Sequence, residues 1–387
     1  MSPFFSKASI RTLEPLIVSK VDGLCDRFEE SGADNGVVIL THAFVALTLD
    51  IISQVCFGYT CNFLDLRDFA RKWYEGIEHE SRSTHFVRQF PWAFPLLRRF
   101  PWLASEAKKA SMVSTNKRQK ELVKQVTTVV EHHNTGSEDK KLPNDASPTI
   151  FDAMLDADVP TSEKSIIRLT EEAQTLTTAG SLTTASALDF TFYHLLANPS
   201  CLARLREELQ EAIPDSAVLP SVAELEKLPY LTAIIHESLR LSKSVSHRFA
   251  RVSPDVSYRY EKFDLEIPRG MPVCMSLIDI LDDPDIFPDP DSFNPERWLP
   301  FDSPEVRYCR KYLVAFGGGT RMCLGMNLAW AELYLTVAAV AQRFGNRLKL
   351  HDVVFERDMK IVVDGFNALP SRDTKGLRVV VLPLAED

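Results

Sequence analysis

Phe316-Gly317-Gly318-Gly319-Thr320-Arg321-Met322-Cys323-Leu324-Gly325 decides how this chain is read. The stretch is a glycine-rich loop presenting one cysteine, with Arg321 two residues before it and Gly325 two residues after. A metal-ligating thiolate needs backbone amides turned toward its sulfur. Only a chain free of Cβ atoms bends tightly enough to supply them. The arginine offers a fork of donors shaped for a carboxylate. Residues 326–344, rich in Ala, Leu and Val, follow as a helix-forming run. A buried structural cysteine is the ordinary account of one Cys near glycines. Phe316, three glycines, Arg321, Cys323 and Gly325 in a single register point instead to ligation.

The loop resembles the haem-binding loop of the cytochrome P450 family, F-x-x-G-x-R-x-C-x-G. That resemblance implies haem as cofactor, with Cys323 as the axial thiolate and metal ligand, Arg321 on a haem propionate, and Phe316 packed beside the loop that Gly317 helps to shape. A proximal thiolate pushes electron density onto the iron and favours O–O cleavage. The implied fold is mainly α with small β-sheets (α+β), one domain over residues 1–387.

Further motifs agree. Tyr230 to Leu241, YLTAIIHESLRL, is apolar at helical spacing, with Glu237 and Arg240 three residues apart on one face. Phe293-Asn294-Pro295-Glu296-Arg297-Trp298 lies further on, in a Pro-rich stretch. In the family these segments form a buried triad, so the resemblance gives Glu237, Arg240 and Arg297 a structural role. Between them, Val245 to Val252 alternates as a strand. The resemblance makes Arg248 the second propionate contact, with Arg251 competing for that role.

Glu163 to Asn198 reads as one long helix, with a capping-type start at Thr161-Ser162-Glu163 and a stop at Asn198-Pro199. At its middle lies Ala179-Gly180-Ser181-Leu182-Thr183-Thr184. A glycine followed by hydroxyl side chains weakens the helical ladder and permits a local bulge. The family pattern, A/G-G-x-D/E-T-T/S, aligns Ala179 and Gly180 with the oxygen-binding turn and Thr183 with the threonine that organises proton delivery. Leu182 stands where the family carries an acid. Either water with Thr183 or Thr184 carries the protons, or the reaction needs fewer of them.

Composition bounds the rest. A chain of 387 residues, 45% hydrophobic and 25% charged, can bury a large core. Net charge −9 argues against a nucleic-acid partner. The seven cysteines are scattered without zinc spacing, as in a cytosol-facing protein with reduced thiols. No transmembrane run stands out, because the longest apolar stretches are broken by polar residues. Met1 to Ser6 resembles a family segment near the third helix, so the anchor and the region before that helix are expected to be absent here. The full-length family associates with the endoplasmic reticulum membrane.

Residues 41–57, 66–79 and 116–132 read as helices, and 134–149 as a polar loop beside solvated His132 and His133. Phe86, Phe90, Trp92, Phe94, Phe100 and Trp102 interleave with Arg88, Arg98 and Arg99. They form either amphipathic core helices or the family's apolar lid, which can dip into a membrane surface. Residues 283–300 hold many prolines and form an irregular loop.

Thr175, Thr178, Val245, Ser246 and Phe366 are candidate substrate contacts by position, or plain core. Together they suggest an apolar pocket with a few hydroxyls. Residues 244–252 resemble fungal members that tailor secondary metabolites. The expected activity is haem-dependent monooxygenation of a hydrophobic small molecule, with electrons from an NADPH-dependent flavoprotein reductase docking near Arg307, Arg310 and Lys311. Rearrangement or dehydration at the same haem, and an inactive haem-binding remnant, are the alternatives.

Overall fold

A computed structural model describes residues 2–33, 36–92, 95–96, 99–100, 106–135, 149–213 and 218–383. Its helices, in chain order, are α1 (Lys7–Ala33), α2 (Leu40–Phe57), α3 (Arg71–Arg82), α4 (Thr84–Gln89), α5 (Glu106–Thr135), α6 (Ile150–Asp156) and α7 (Ile166–Ala197). They continue as α8 (Pro199–Ala212), α9 (Val222–Leu225), α10 (Pro229–Ser242), α11 (Leu277–Leu281), α12 (Pro304–Tyr312), α13 (Met326–Phe344) and α14 (Phe355–Asp358). The strands are short. β1 (Val37–Ile39), β9 (Arg378–Val381) and β6 (Leu348–Leu350) form one antiparallel sheet, with Val37 opposite Val380 and Leu348 opposite Val381. β2 (Phe249–Val252) pairs with β5 (Pro272–Met275), β3 (Tyr258–Tyr260) with β4 (Leu265–Ile267), and β7 (Val363–Gly365) with β8 (Asn367–Leu369).

The centre is helix on helix. Every residue of α2 is buried, as expected of a helix apolar all round, and α2 lies along α7 while α1 packs on α13. By length and composition α2 could cross a membrane, although His42, Asp50 and Gln54 interrupt its apolar run. The protein encloses it, which makes it a core helix here. α10 begins at Pro229, and the Glu208 carboxylate accepts from the Tyr230 and Leu231 N–H groups at 2.8 Å each. Those bonds satisfy donors that a helix start leaves unpaired.

Several boundaries move. The helix expected over 66–79 begins at Arg71, after turns through Phe69, which sits at φ 52°. The helix expected at 116–132 runs from Glu106 to Thr135. α7 is capped by Ser165, whose hydroxyl accepts from Arg168 N–H, and the proposed cap at Thr161-Ser162-Glu163 is a separate 3-10 turn over Thr161–Lys164. The strand expected over 245–252 covers only Phe249–Val252, because Val245 bridges to Asn367 instead. His133 is not merely solvated; its Nε2 lies 2.9 Å from Asp156 Oδ1. Most of the loop expected at 134–149, with Phe94, Trp102 and Arg98, lies outside the described residues.

Candidate active site

The Cys323 loop is held by its own backbone. Cys323 N–H donates to the Phe316 carbonyl at 2.9 Å, Gly317 N–H to Val314 at 2.8 Å, and Met322 N–H to Gly319 at 3.1 Å. Gly317 and Gly319 sit at φ +70° and +71°, where a side chain would be strained. A Cβ added at Gly317, Gly318, Gly319 or Gly325 would meet nothing within 4 Å, so open space lies beside the loop. The Phe316 ring leans on Trp330 at 5.7 Å, fastening the loop to α13. Although the residue is exposed, partial withdrawal of the sulfur from water pushes the Cys323 thiol up, and the Gly325 N–H facing the sulfur pulls it back. A bound cation would hold it as thiolate.

Apolar side chains of the loop and of β5 face solvent. Met322, Leu324, Met275 and Val273 are all exposed. Arg321 and Arg248 are exposed in the same loop and at the start of β2, while Arg251 bonds to Ala250 and lies over Phe249. The cysteine in its glycine cradle, with exposed Arg321, Met322 and Leu324 in the same loop, suits a flat apolar group that carries carboxylates and a metal.

α10 carries a closed ion cluster. Glu237 takes Arg240 Nε and Nη2 at 2.9 Å each, Arg297 Nε at 3.0 Å, Trp298 Nε1 at 2.9 Å and Asn294 N–H at 3.0 Å. Arg240 spends its remaining donors on the Leu281, Pro290 and Ser292 carbonyls. Trp298 and Asn294 were missed as members, although both stand in the segment that pointed to Arg297.

α7 is an uninterrupted α-helix, so the bulge expected near Gly180 is absent. Gly180 serves contact instead: a Cβ there would come within 3.0 Å of Ile52 on α2. Thr175, Ala179 and Thr183 recur every four residues along the less buried face of α7, with Thr178 beside them. The Thr183 hydroxyl donates to Ala179 O at 2.8 Å, and Thr175 to Glu171 O at 2.9 Å. Leu182 and Thr184 are buried. Thr184 faces Glu332 of α13, a carboxyl that burial pushes well above its usual range and whose Oε1 has no hydrogen-bond partner. Sequence reasoning overlooked Glu332, since one acid in an apolar helix reads as an exposed position.

Val245, Ser246 and Phe366 meet. Ser246 N–H donates to the Phe366 carbonyl at 3.1 Å, and Ser246 Oγ to Asp364 Oδ1 at 2.7 Å. The Phe366 ring stacks on His247 at 5.9 Å, and His247 also contacts Arg88 of α4. The β7–β8 tip, β2 and α4 therefore share one wall.

Known proteins resemble this chain in sequence and in fold. A family model described as Cytochrome P450 matches residues 1–363. The chain is 38% identical to the cytochrome P450 monooxygenase sdnE of Sordaria araneosa, covering 99% of this chain and 74% of the relative. It is 36% identical to the tryptophan 6-hydroxylase fscE of Fusarium equiseti (98% and 72% covered). It is 37% identical to the fusicoccadiene C-8 hydroxylase of Phomopsis amygdali (98% and 72%). Among solved structures it superposes on a cytochrome P450 (CYP102L1) with TM-score 0.73 at 22% identity, covering 98% of this chain and 76% of that one.

Proposed function

Because the chain belongs to the cytochrome P450 family of haem-thiolate monooxygenases, we propose that it oxidises a hydrophobic small molecule in fungal secondary metabolism. The observation that carries this is the Cys323 loop, closed by the Cys323-to-Phe316 hydrogen bond and opening onto empty space under exposed apolar side chains. Cys323 would ligate the haem iron, Arg321 and Arg248 its propionates, with Phe316 and Gly317 shaping the loop. When bound, the haem supplies dioxygen activation and transfer of one oxygen atom to the substrate.

The chain's own residues do the rest. Thr183 and Thr184 offer the hydroxyls of the central turn, and Thr183 can turn from the Ala179 carbonyl to pass a proton. Thr175, Thr178, Val245, Ser246 and Phe366 form the wall against which an apolar substrate is oriented and water excluded. Arg307, Arg310 and Lys311, all exposed on α12, suit an NADPH-dependent flavoprotein reductase with an acidic docking face. Phe86, Phe90, Trp92 and Phe100 are exposed around α4, a surface suited to the endoplasmic reticulum membrane.

A second reading rests on Leu182. An apolar side chain at the acid's position, and a Thr183 hydroxyl already engaged, favour a rearrangement or dehydration that consumes fewer protons. Thr183→Ala separates the two. For a monooxygenase the variant keeps its reduced, CO-bound thiolate spectrum and diverts electrons to hydrogen peroxide. For the other reaction class, turnover and peroxide stay unchanged.

A further inference from the structure

Resting on the monooxygenase reading, we propose that Asp189 is the proton-donating acid of this chain, displaced two turns along α7 from the position Leu182 occupies. It acts through the cavity the two residues share. Leu182, Ser186 and Asp189 fall on one helical face, at i, i+4 and i+7. All three line a cavity of about 70 Å³, walled on other sides by Tyr74, Glu78 and Ser244. That volume admits a few waters. Asp189 is 8% exposed, and its Oδ1 has no hydrogen-bond partner. No Lys or Arg pairs with it among the described residues.

The surroundings favour the neutral acid. Burial pushes Asp189 up to about 8, with the Thr41 hydroxyl pulling it back. Other charges facing the cavity are occupied. Glu78 is paired with Arg82 at 2.6 Å, and Asp358 with Arg357 at 2.7 Å and Lys375 N–H at 2.8 Å. Burial keeps Tyr74 protonated, and it lowers His42, tilted against Tyr74, to about 4 and so leaves it neutral.

The far wall reaches the central turn. Ser244 Oγ donates to the Thr183 carbonyl at 3.0 Å and shares a hydrogen bond with Ser242 at 3.2 Å. In the proposed step the Asp189 carboxyl gives its proton to cavity water, which hands a proton past Ser186 and Ser244 to the Thr183 hydroxyl, and that hydroxyl would give its own to reduced dioxygen in the site. The Asp189 carboxylate then regains a proton from solvent at the half-buried Glu78 mouth.

The test uses holoprotein with NADPH and saturating flavoprotein reductase, without added substrate, and reads dioxygen consumption against pH. In the wild type, infrared titration should show a protonated carboxyl band with a midpoint near 8, matching Asp189. Dioxygen consumption should fall above that midpoint. Asp189→Asn should keep the CO-bound thiolate spectrum, lose the band and the alkaline limb, and consume dioxygen about tenfold more slowly. Leu182→Asp in that background should restore the rate. Ser186→Val, which narrows the water path and leaves the acid in place, should slow consumption while keeping the band. An unchanged band or an unchanged alkaline limb in Asp189→Asn overturns the proposal. So does loss of that limb in Glu332→Gln instead. Failure of the monooxygenase reading looks different: full thiolate spectrum, no dioxygen consumption in the wild type, and an infrared titration that still decides where the proton sits.

Discussion

Glu237 on α10 receives five hydrogen bonds, from Arg240 twice and from Arg297, Trp298 and Asn294. Asp189 on α7 is closed off nearly as well, yet its Oδ1 receives none. The first carboxylate has cations and N–H donors in place of water, and they tie the segments around it together. The second faces a small cavity without a cation, so the neutral acid is preferred and a proton stays available. Burial alone does not separate scaffold from chemistry; the partners do.

The largest effect that could break this contrast is removal of the first charge. Glu237→Gln should strand two buried guanidinium groups and cost about 3–5 kcal/mol, read as lost soluble protein and a lowered Tm. A variant that folded normally, bound haem and lost only turnover would make Glu237 a chemical group.

Next comes the stability signature of Asp189, whose sign is opposite. Its folded pKa, about 8, lies above the ordinary 3.8. The folded state therefore holds the proton more tightly, and stability falls as pH rises from the lower value to the upper. Asp189→Asn removes that penalty. The variant should gain on the order of 2 kcal/mol over wild type at pH above 8 and show no gain at acidic pH. Thermal melts at the two pH extremes check this, and an equal Tm difference at both would sink it.

The smallest change in stability belongs to the residue with the largest spectral one. Cys323 lies exposed on an open loop. Cys323→Ala should shift apoprotein stability by less than about 0.5 kcal/mol and abolish the thiolate Soret band. If that band survived here and vanished in Cys309→Ala, the assignment would move to Cys309, which is buried and donates to Ile286 O.

Sequence patterns worked best where function depends on neighbours along the chain. The helix expected over Tyr230 to Leu241 is Pro229–Ser242 in the structure, because an unbroken apolar pattern with Pro at its start leaves little choice. The cap of α7 was misplaced because Thr161-Ser162-Glu163 carries the same local signal as Ser165, and packing decides which turn continues into the helix. The bulge was expected from Gly180 and its hydroxyl neighbours. In the folded chain the glycine instead lets α7 approach Ile52, and Ser181 and Thr183 bond back to carbonyls one turn earlier.

By itself the sequence determined the family, the cysteine loop and the pairing of Glu237 with Arg240. Each is written in short spacings that backbone geometry turns directly into local structure. Only the tertiary structure decided that Trp298 and Asn294 complete the Glu237 cluster, and that Asp189 shares a cavity with Leu182. An acid's environment is assembled from segments far apart in the chain: α2, α3, Ser244 and the C-terminal turns all reach the wall beside Asp189. Whether a carboxyl is paired or left holding its proton depends on those distant groups, and no local pattern encodes them.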